Sequence, residues 1–183
     1  MKFMNKVEQA IYFATKAHNG QNRKMEDIPM IFHPFTVGMM LQRAGCKEEV
    51  VIAGILHDVI EDTKYTRSDI SKKFGEEVAK LVEGVTEPDK NLSWEERKED
   101  AIKRIHSVCL EIKLIEAADK ISNLESTLED IKRRGDDAWS GFKRGKDKQE
   151  WLNRNMYKSV VANTDGKHPL FKRYAQLIKK IFD

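Results

Sequence analysis

The chain has 183 residues, 40% of them hydrophobic and 34% charged, a balance that fits one globular domain and excludes a low-complexity or disordered chain. No apolar run approaches a membrane span, and MKFMNKVEQA has neither the apolar core nor the cleavage site of a signal peptide, so no membrane association is expected. Cys46 and Cys109 form no C-x-x-C and are too few for a disulfide framework, which makes a reducing, cytoplasmic setting the expectation.

In chain order, Val7, Ala10, Ile11, Ala14 and Ala17 recur at helical spacing, and Gly20 supplies a stop. The polar stretch HNGQNRKMEDIPM follows as a loop of some length, a kind of segment that often carries function. His33-Pro34 opens a helix through Phe35, Val37 and Leu41, with Pro34 suited to the first helical position. The next helix is predicted from about residue 48 to 62. Thr66-Arg67-Ser68-Asp69 resembles a capping arrangement for a short helix, and Gly75 punctuates the chain before EEVAKLVEGV. After TEPDKNL, Ser93-x-x-Glu96 is a capping-box signature. It opens a helix to about His106, and a longer one runs from about Leu110 to Ile131. RRGDDAWSGFKRGKDK is a charged connection, and two last helices flank NTDGKHP. With no alternating strand pattern and no repeat, a single all-α domain is predicted.

The net charge of +3 is unevenly spread. From Ile131 onward there are 14 Lys+Arg against 6 Asp+Glu, or +8, while the first 130 residues carry −5. A basic surface attracts phosphates of any kind, a nucleotide or a nucleic acid equally well, but on the charge alone an ordinary solvated helix face is the favoured account.

The 48–62 helix holds VVIAGILHDVIEDT. At about 100° per residue, His57, Asp58, Glu61 and Asp62 share one sector, and Ile52, Ala53, Ile55, Leu56, Val59 and Ile60 fill the rest. An amphipathic helix is expected. Its polar face lacks Lys, Arg, Gln and Ser, and three crowded carboxylates repel one another unless a cation neutralises them. A bound divalent metal is the economical explanation, with further ligands drawn from elsewhere. Of the other histidines, His33 stands out because it follows the long loop at a helix start. His18 reads as structural or loop-supporting, and His106 and His168 as bland. In EIKLIEAADKISNLES, Asp119 lies opposite the stripe of Leu114, Ala117, Ala118, Ile121 and Leu128, between Ile112 and Ile115. Asn123 and Ser126 fall on its side, placed to donate hydrogen bonds to a ligand.

His33, His57-Asp58 and Asp119 resemble the H…HD…D ligand set of HD-superfamily metal phosphohydrolases. GQNRK, IPMIFHP, ILHDVIEDT, FGEEVAKLVEGVT and AADKISNLES are similar, in order, to the hydrolase domain of RelA/SpoT-type alarmone enzymes. The similarity runs from about Val7 to Leu128. Because 183 residues leave no room for the synthetase and regulatory regions of the long enzymes, the chain resembles a stand-alone small alarmone hydrolase.

The resemblance implies an HD-domain helical bundle that hydrolyses the 3′-pyrophosphate of ppGpp or pppGpp to GDP or GTP. It implies a divalent metal, Mn²⁺ by family habit, held by His33, His57, Asp58 and Asp119. Glu61 and Asp62 map onto the catalytic acidic pair, Arg23 and Lys24 onto a nucleotide-contacting segment, and Asn123 and Ser126 onto positions that hold the nucleoside. The chain departs from the family at Met30-Ile31, at Glu125, and in EPDKNLSWEERK, where Trp94, Lys90 or Lys98 stands near a usual basic residue. Trp151 and Tyr157 read as core packing. Two other readings stay open. One is an HD-type phosphohydrolase acting on an adenine alarmone, the NADPH 2′-phosphate, a dNTP or a nucleoside monophosphate. The other, more remote, is a non-catalytic scaffold that binds nucleic acid through its basic tail. The partner expected is a nucleotide rather than a nucleic acid or a membrane, and the sequence fixes no oligomeric state.

Overall fold

The computed structural model describes residues 4–23, 27–87 and 91–183, and these residues form helices joined by turns. The only pairing of extended backbone among them is an isolated antiparallel bridge between Asn22 and Pro29, so the all-α expectation holds. No described helix is long and apolar enough to cross a membrane. The chain divides into two compact units, Met1–Asn91 and Leu92–Asp183.

The first unit contains α1 (Lys6–Ala17), α2 (Phe32–Arg43), α3 (Glu48–Leu56), α4 (Val59–Asp62), α5 (Arg67–Phe74) and α6 (Glu76–Val85). Helix α3 is its centre, packed against α1, α2 and α6. Every residue from Val50 to Leu56 is buried. Each such Val, Ile or Leu side chain contributes roughly 1.5–3 kcal/mol of transfer free energy. Burial on all sides corrects the amphipathic expectation for this segment, because the polar groups begin only where α3 stops.

The predicted single helix over 48–62 is in fact two, interrupted at His57 and Asp58. The cause is local. His57 Nδ1 lies 2.8 Å from the Gly54 carbonyl oxygen. That carbonyl is the one a continuing helix would offer to the Asp58 N–H. A side chain competing for a backbone acceptor ends the ladder there, and periodicity alone does not show it.

Helices α2 and α3 lie unusually close because both carry glycine at their contact. A Cβ added to Gly38 would stand 2.3 Å from Ile55 Cγ1, and one added to Gly54 would stand 2.3 Å from Leu41 Cδ1. Neither glycine has a periodic signal. Thr66/Asp69 and Ser93/Glu96 form reciprocal capping boxes where the sequence indicated caps, and a further box forms at Asn5/Glu8. Gly75 ends α5 at φ 97°, a conformation glycine adopts at little cost. Helix α2 starts one residue before His33, which leaves Pro34 in the first turn, where a missing N–H does little harm.

The second unit contains α7 (Trp94–Ser107), α8 (Leu110–Arg134), a 3₁₀ segment (Gly135–Gly141), α9 (Gly145–Val161) and α10 (Pro169–Phe182). Helix α8 packs against α9, α10 and the 3₁₀ segment, and α7 packs against α9. Buried Lys113 donates from Nζ to the carbonyls of His106 and Ala162, joining the C-terminal ends of α7 and α9. Tyr174, fully buried on α10, reaches the Asn153 carbonyl at 3.2 Å. Trp151 pairs with Trp94 at 6.2 Å between ring centroids, and Tyr157 meets Tyr174 edge-on at 5.7 Å. Both side chains are half-buried packing groups.

Candidate metal centre

The first turn of α2 carries His33, and the break between α3 and α4 carries His57 and Asp58. Both imidazoles are buried, at 3% and 6% exposure, while Asp58 is half-buried. His33 Nε2 stands 3.7 Å from Asp58 Oδ2, and His57 Nε2 stands 3.1 Å from Asp58 Oδ1. The two rings meet edge to face at 5.1 Å, and one ligand atom from each of the three residues lies within 4.8 Å of the others.

The donor set fits a divalent cation. A carbonyl can only accept, so the bond to Gly54 requires His57 to carry its proton on Nδ1. In the neutral ring Nε2 is then the lone-pair nitrogen, and it is turned toward Asp58. A ligating imidazole whose other nitrogen donates to a backbone carbonyl is a recurring arrangement in metal sites. Two neutral nitrogens and one carboxylate leave positions for further oxygen ligands, which suits a borderline-to-hard ion. The glycine pair has a role here that the sequence reading missed. Close packing at Gly38 and Gly54 holds the helices that bear His33 and His57 together. An isolated glycine within each apolar helix was the available signal, since glycine costs about 1 kcal/mol there unless close approach needs it.

Glu61 and Asp62 form the last turn of α4. The Glu61 carboxylate accepts the Glu87 backbone N–H at 3.3 Å. Burial is the largest influence on its acidity and raises the pKa above the usual glutamate value. The charges of Glu87, Asp58 and Asp62 push the same way, against the lowering effect of that backbone bond. Asp62 is exposed, and its carbonyl accepts Gln21 Nε2 at 2.8 Å.

Arg23 is half-buried in the loop after α1, with its backbone N–H donating to Ile28 at 3.0 Å. Lys24, predicted beside it as a substrate contact, lies outside the described residues, as does Lys90.

On α8, Asp119 is half-buried and held on both oxygens. Asn123 Nδ2 donates to Oδ1 at 2.6 Å and Lys120 Nζ to Oδ2 at 2.7 Å. Lys120 also reaches Glu116 at 3.0 Å. Burial is the largest single influence on the Lys120 pKa and lowers it, but the carboxylates of Asp119 and Glu116 together outweigh it and raise the pKa well above its usual value. Asn123 is therefore turned to Asp119 in the described geometry, and Ser126 is half-buried one turn beyond it.

Known proteins resemble the chain along much of its length. The HD domain family model matches residues 10–145. The chain is 34% identical over 148 residues to the guanosine-3′,5′-bis(diphosphate) 3′-pyrophosphohydrolase MESH1 of Danio rerio, covering 79% of each protein. It is 37% identical over 122 residues to the guanosine-3′,5′-bis(diphosphate) 3′-pyrophosphohydrolase of Aquifex aeolicus, which is 66% of this chain but only 17% of that one. The chain thus spans less than a fifth of that longer relative. Among solved structures, lmo0812 from Listeria monocytogenes EGD-e superposes with a TM-score of 0.78 at 45% identity, over 82% of this chain and 98% of that one. A metazoan ortholog of SpoT, described as hydrolysing ppGpp, superposes with a TM-score of 0.82 at 26% identity, over 97% and 96%. A family match over most of the chain and a relative aligned along four fifths of its length lead to one conclusion: the chain belongs to the HD domain family, among the relatives of MESH1 and SpoT.

Proposed function

We propose that the chain removes the 3′-pyrophosphate of ppGpp and pppGpp, giving GDP or GTP and pyrophosphate, as a cytoplasmic Mn²⁺-dependent hydrolase. The observation that carries this reading is the convergence of His33, His57 and Asp58 one helical turn before half-buried Glu61. The name of the Danio rerio relative supports the choice of substrate. Asp119 is assigned as the fourth metal ligand and the two units as parts of one HD-type domain, both on the family resemblance.

When bound, a divalent cation supplies Lewis acidity toward water and toward phosphate oxygens. The remaining work falls to the chain. Water adds to the phosphorus attached at the ribose 3′ oxygen, the P–O3′ bond breaks, and the ribose oxygen takes up a proton. Glu61 accepts the proton from that water. Its raised pKa makes it a stronger base than an ordinary surface glutamate, closer to the working pH. Asp62 adds negative charge beside it and helps keep the departing proton near the site. Arg23 and Lys24 neutralise phosphate or stack on the base, tasks that a flat, forked guanidinium performs well. Asn123 and Ser126 orient the nucleoside.

The test is turnover of ppGpp by purified protein with added Mn²⁺, products resolved by chromatography, beside ppApp, dNTPs, nucleoside monophosphates and NADPH. Release of GDP and pyrophosphate from ppGpp above all other substrates is expected. Inertness toward ppGpp with turnover of another nucleotide would overturn the substrate assignment.

A further inference from the structure

Gln21 sits at a junction in the first unit. Its backbone N–H donates to the His18 carbonyl at 3.0 Å, and its own carbonyl accepts the Met30 N–H at 2.8 Å. The side chain continues the junction in two other directions. Oε1 lies 2.8 Å from Nδ1 of His18, the buried C-cap residue of α1, and Nε2 donates to the Asp62 carbonyl at 2.8 Å. The orientation of the amide is dictated by its partners. The Asp62 carbonyl needs a donor, so Oε1 faces His18, which must present Nδ1–H. Turning the amide over would set oxygen against oxygen at Asp62.

These contacts join two pieces of the proposed machinery. The loop after α1 is braced by the Asn22–Pro29 bridge and by Arg23 N–H donating to Ile28. Arg23 is therefore carried on a framed arm that starts at Gln21. The Asp62 carbonyl belongs to the turn of α4 that presents Glu61. His18 reads from sequence as structural or loop-supporting, and its buried imidazole fixes the direction of this linking side chain.

We propose that Gln21, aligned by His18, is a positioning residue that sets the register between the Arg23 loop and the acidic end of α4. The inference rests on the hydrolase reading above. A substrate gripped by the loop must meet a water oriented by Glu61, and a displacement of about 1 Å between such partners costs on the order of 100-fold in rate. Gln21 and His18 are not among the proposed metal ligands, so the proposal predicts that cation binding survives their loss.

Gln21→Leu keeps the bulk and removes both side-chain bonds. Three properties are measured: kcat and KM for ppGpp with Mn²⁺, Mn²⁺ affinity by calorimetry, and amide hydrogen exchange in the metal-free protein. The expected result is a kcat lowered roughly 10- to 100-fold with Mn²⁺ affinity unchanged. Exchange should rise together across residues 21–23, 27–31 and 59–66, with the unfolding midpoint lowered by less than about 4 °C. His18→Leu should reproduce this, whereas His18→Asn, whose side-chain N–H can stand in for Nδ1–H, should restore most of the rate. Wild-type kinetics in Gln21→Leu would overturn the proposal. So would a rate loss matched by lost metal affinity, or exchange that rises in the loop alone. If the wild-type protein leaves ppGpp untouched, the hydrolase reading fails, and the exchange pattern still decides whether Gln21 couples the two segments.

Discussion

The two aspartates assigned to the metal occupy opposite electrostatic settings. Asp58, in the first unit, faces two buried imidazoles. Asp119, in the second, is already met by an ammonium and an amide, with Glu116 sharing the ammonium. The first setting is one that a cation completes. The second is partly neutralised by side chains of its own helix, which hold that carboxylate in place. The difference teaches that a ligand can be positioned by the cation it binds or by partners that hold it beforehand. Backbone geometry adds to the contrast. The first cluster depends on a helix break and on two glycines, while the second stands on uninterrupted α8.

The sharpest way to break the comparison is to delete each carboxylate in turn. Asp58→Ala should lower Mn²⁺ affinity by more than about 100-fold, beyond the usual penalty for losing an outer partner of a metal ligand, and abolish turnover. Asp119→Ala should also lose the metal, and unchanged calorimetric affinity there would reduce Asp119 and Lys120 to a structural pair. Glu61→Gln comes next: metal affinity should persist while kcat falls by about 10²–10⁴, the range of a lost general base. Retained turnover in that variant would remove Glu61 from its role.

A smaller effect probes the packing that joins the imidazoles. Gly38→Ala forces Ile55 aside and should cost roughly 1–3 kcal/mol in chemical denaturation, with weakened Mn²⁺ binding because His33 shifts with α2. The smallest effect concerns Asp130, on α8 of the second unit. Hydrogen bonds from Arg134 and Arg133 hold its carboxyl down at about 2, against an ordinary value of 3.8. Between those values the unfolded chain binds more protons than the folded one, so stability rises with pH. The contribution is complete above about pH 4 and disappears as pH falls through about 2. Both arginines are substantially exposed, so the effect should stay within about 1 kcal/mol. Asp130→Asn should remove it, visible as a flatter acid limb in denaturation midpoints.

Much of the fold was legible because it is written in local rules. Capping boxes at Thr66 and Ser93 and the stop at Gly75 depend only on neighbours in sequence, and they fall where the residues indicated. The break after Leu56 did not show, because an unbroken apolar period conceals a side chain that takes a backbone carbonyl. His57 and Asp58 stood out through polarity in an apolar run, and His33 through its place after a long loop at a helix start. Gly38 and Gly54 stayed silent because their importance depends on which helix faces them. Gln21 was hidden for a related reason: its bond to Asp62 spans 41 positions, and nothing in a polar loop announces a distant partner.

The central claim is that His33, His57 and Asp58 grip one divalent cation. Diffraction from crystals grown with Mn²⁺, recorded to give anomalous differences, tests it most directly. The expected result is a single strong peak at about 2.0–2.6 Å from His33 Nε2, His57 Nε2 and an Asp58 carboxylate oxygen. A protein active with Mn²⁺ whose anomalous peak lies away from all three would contradict it.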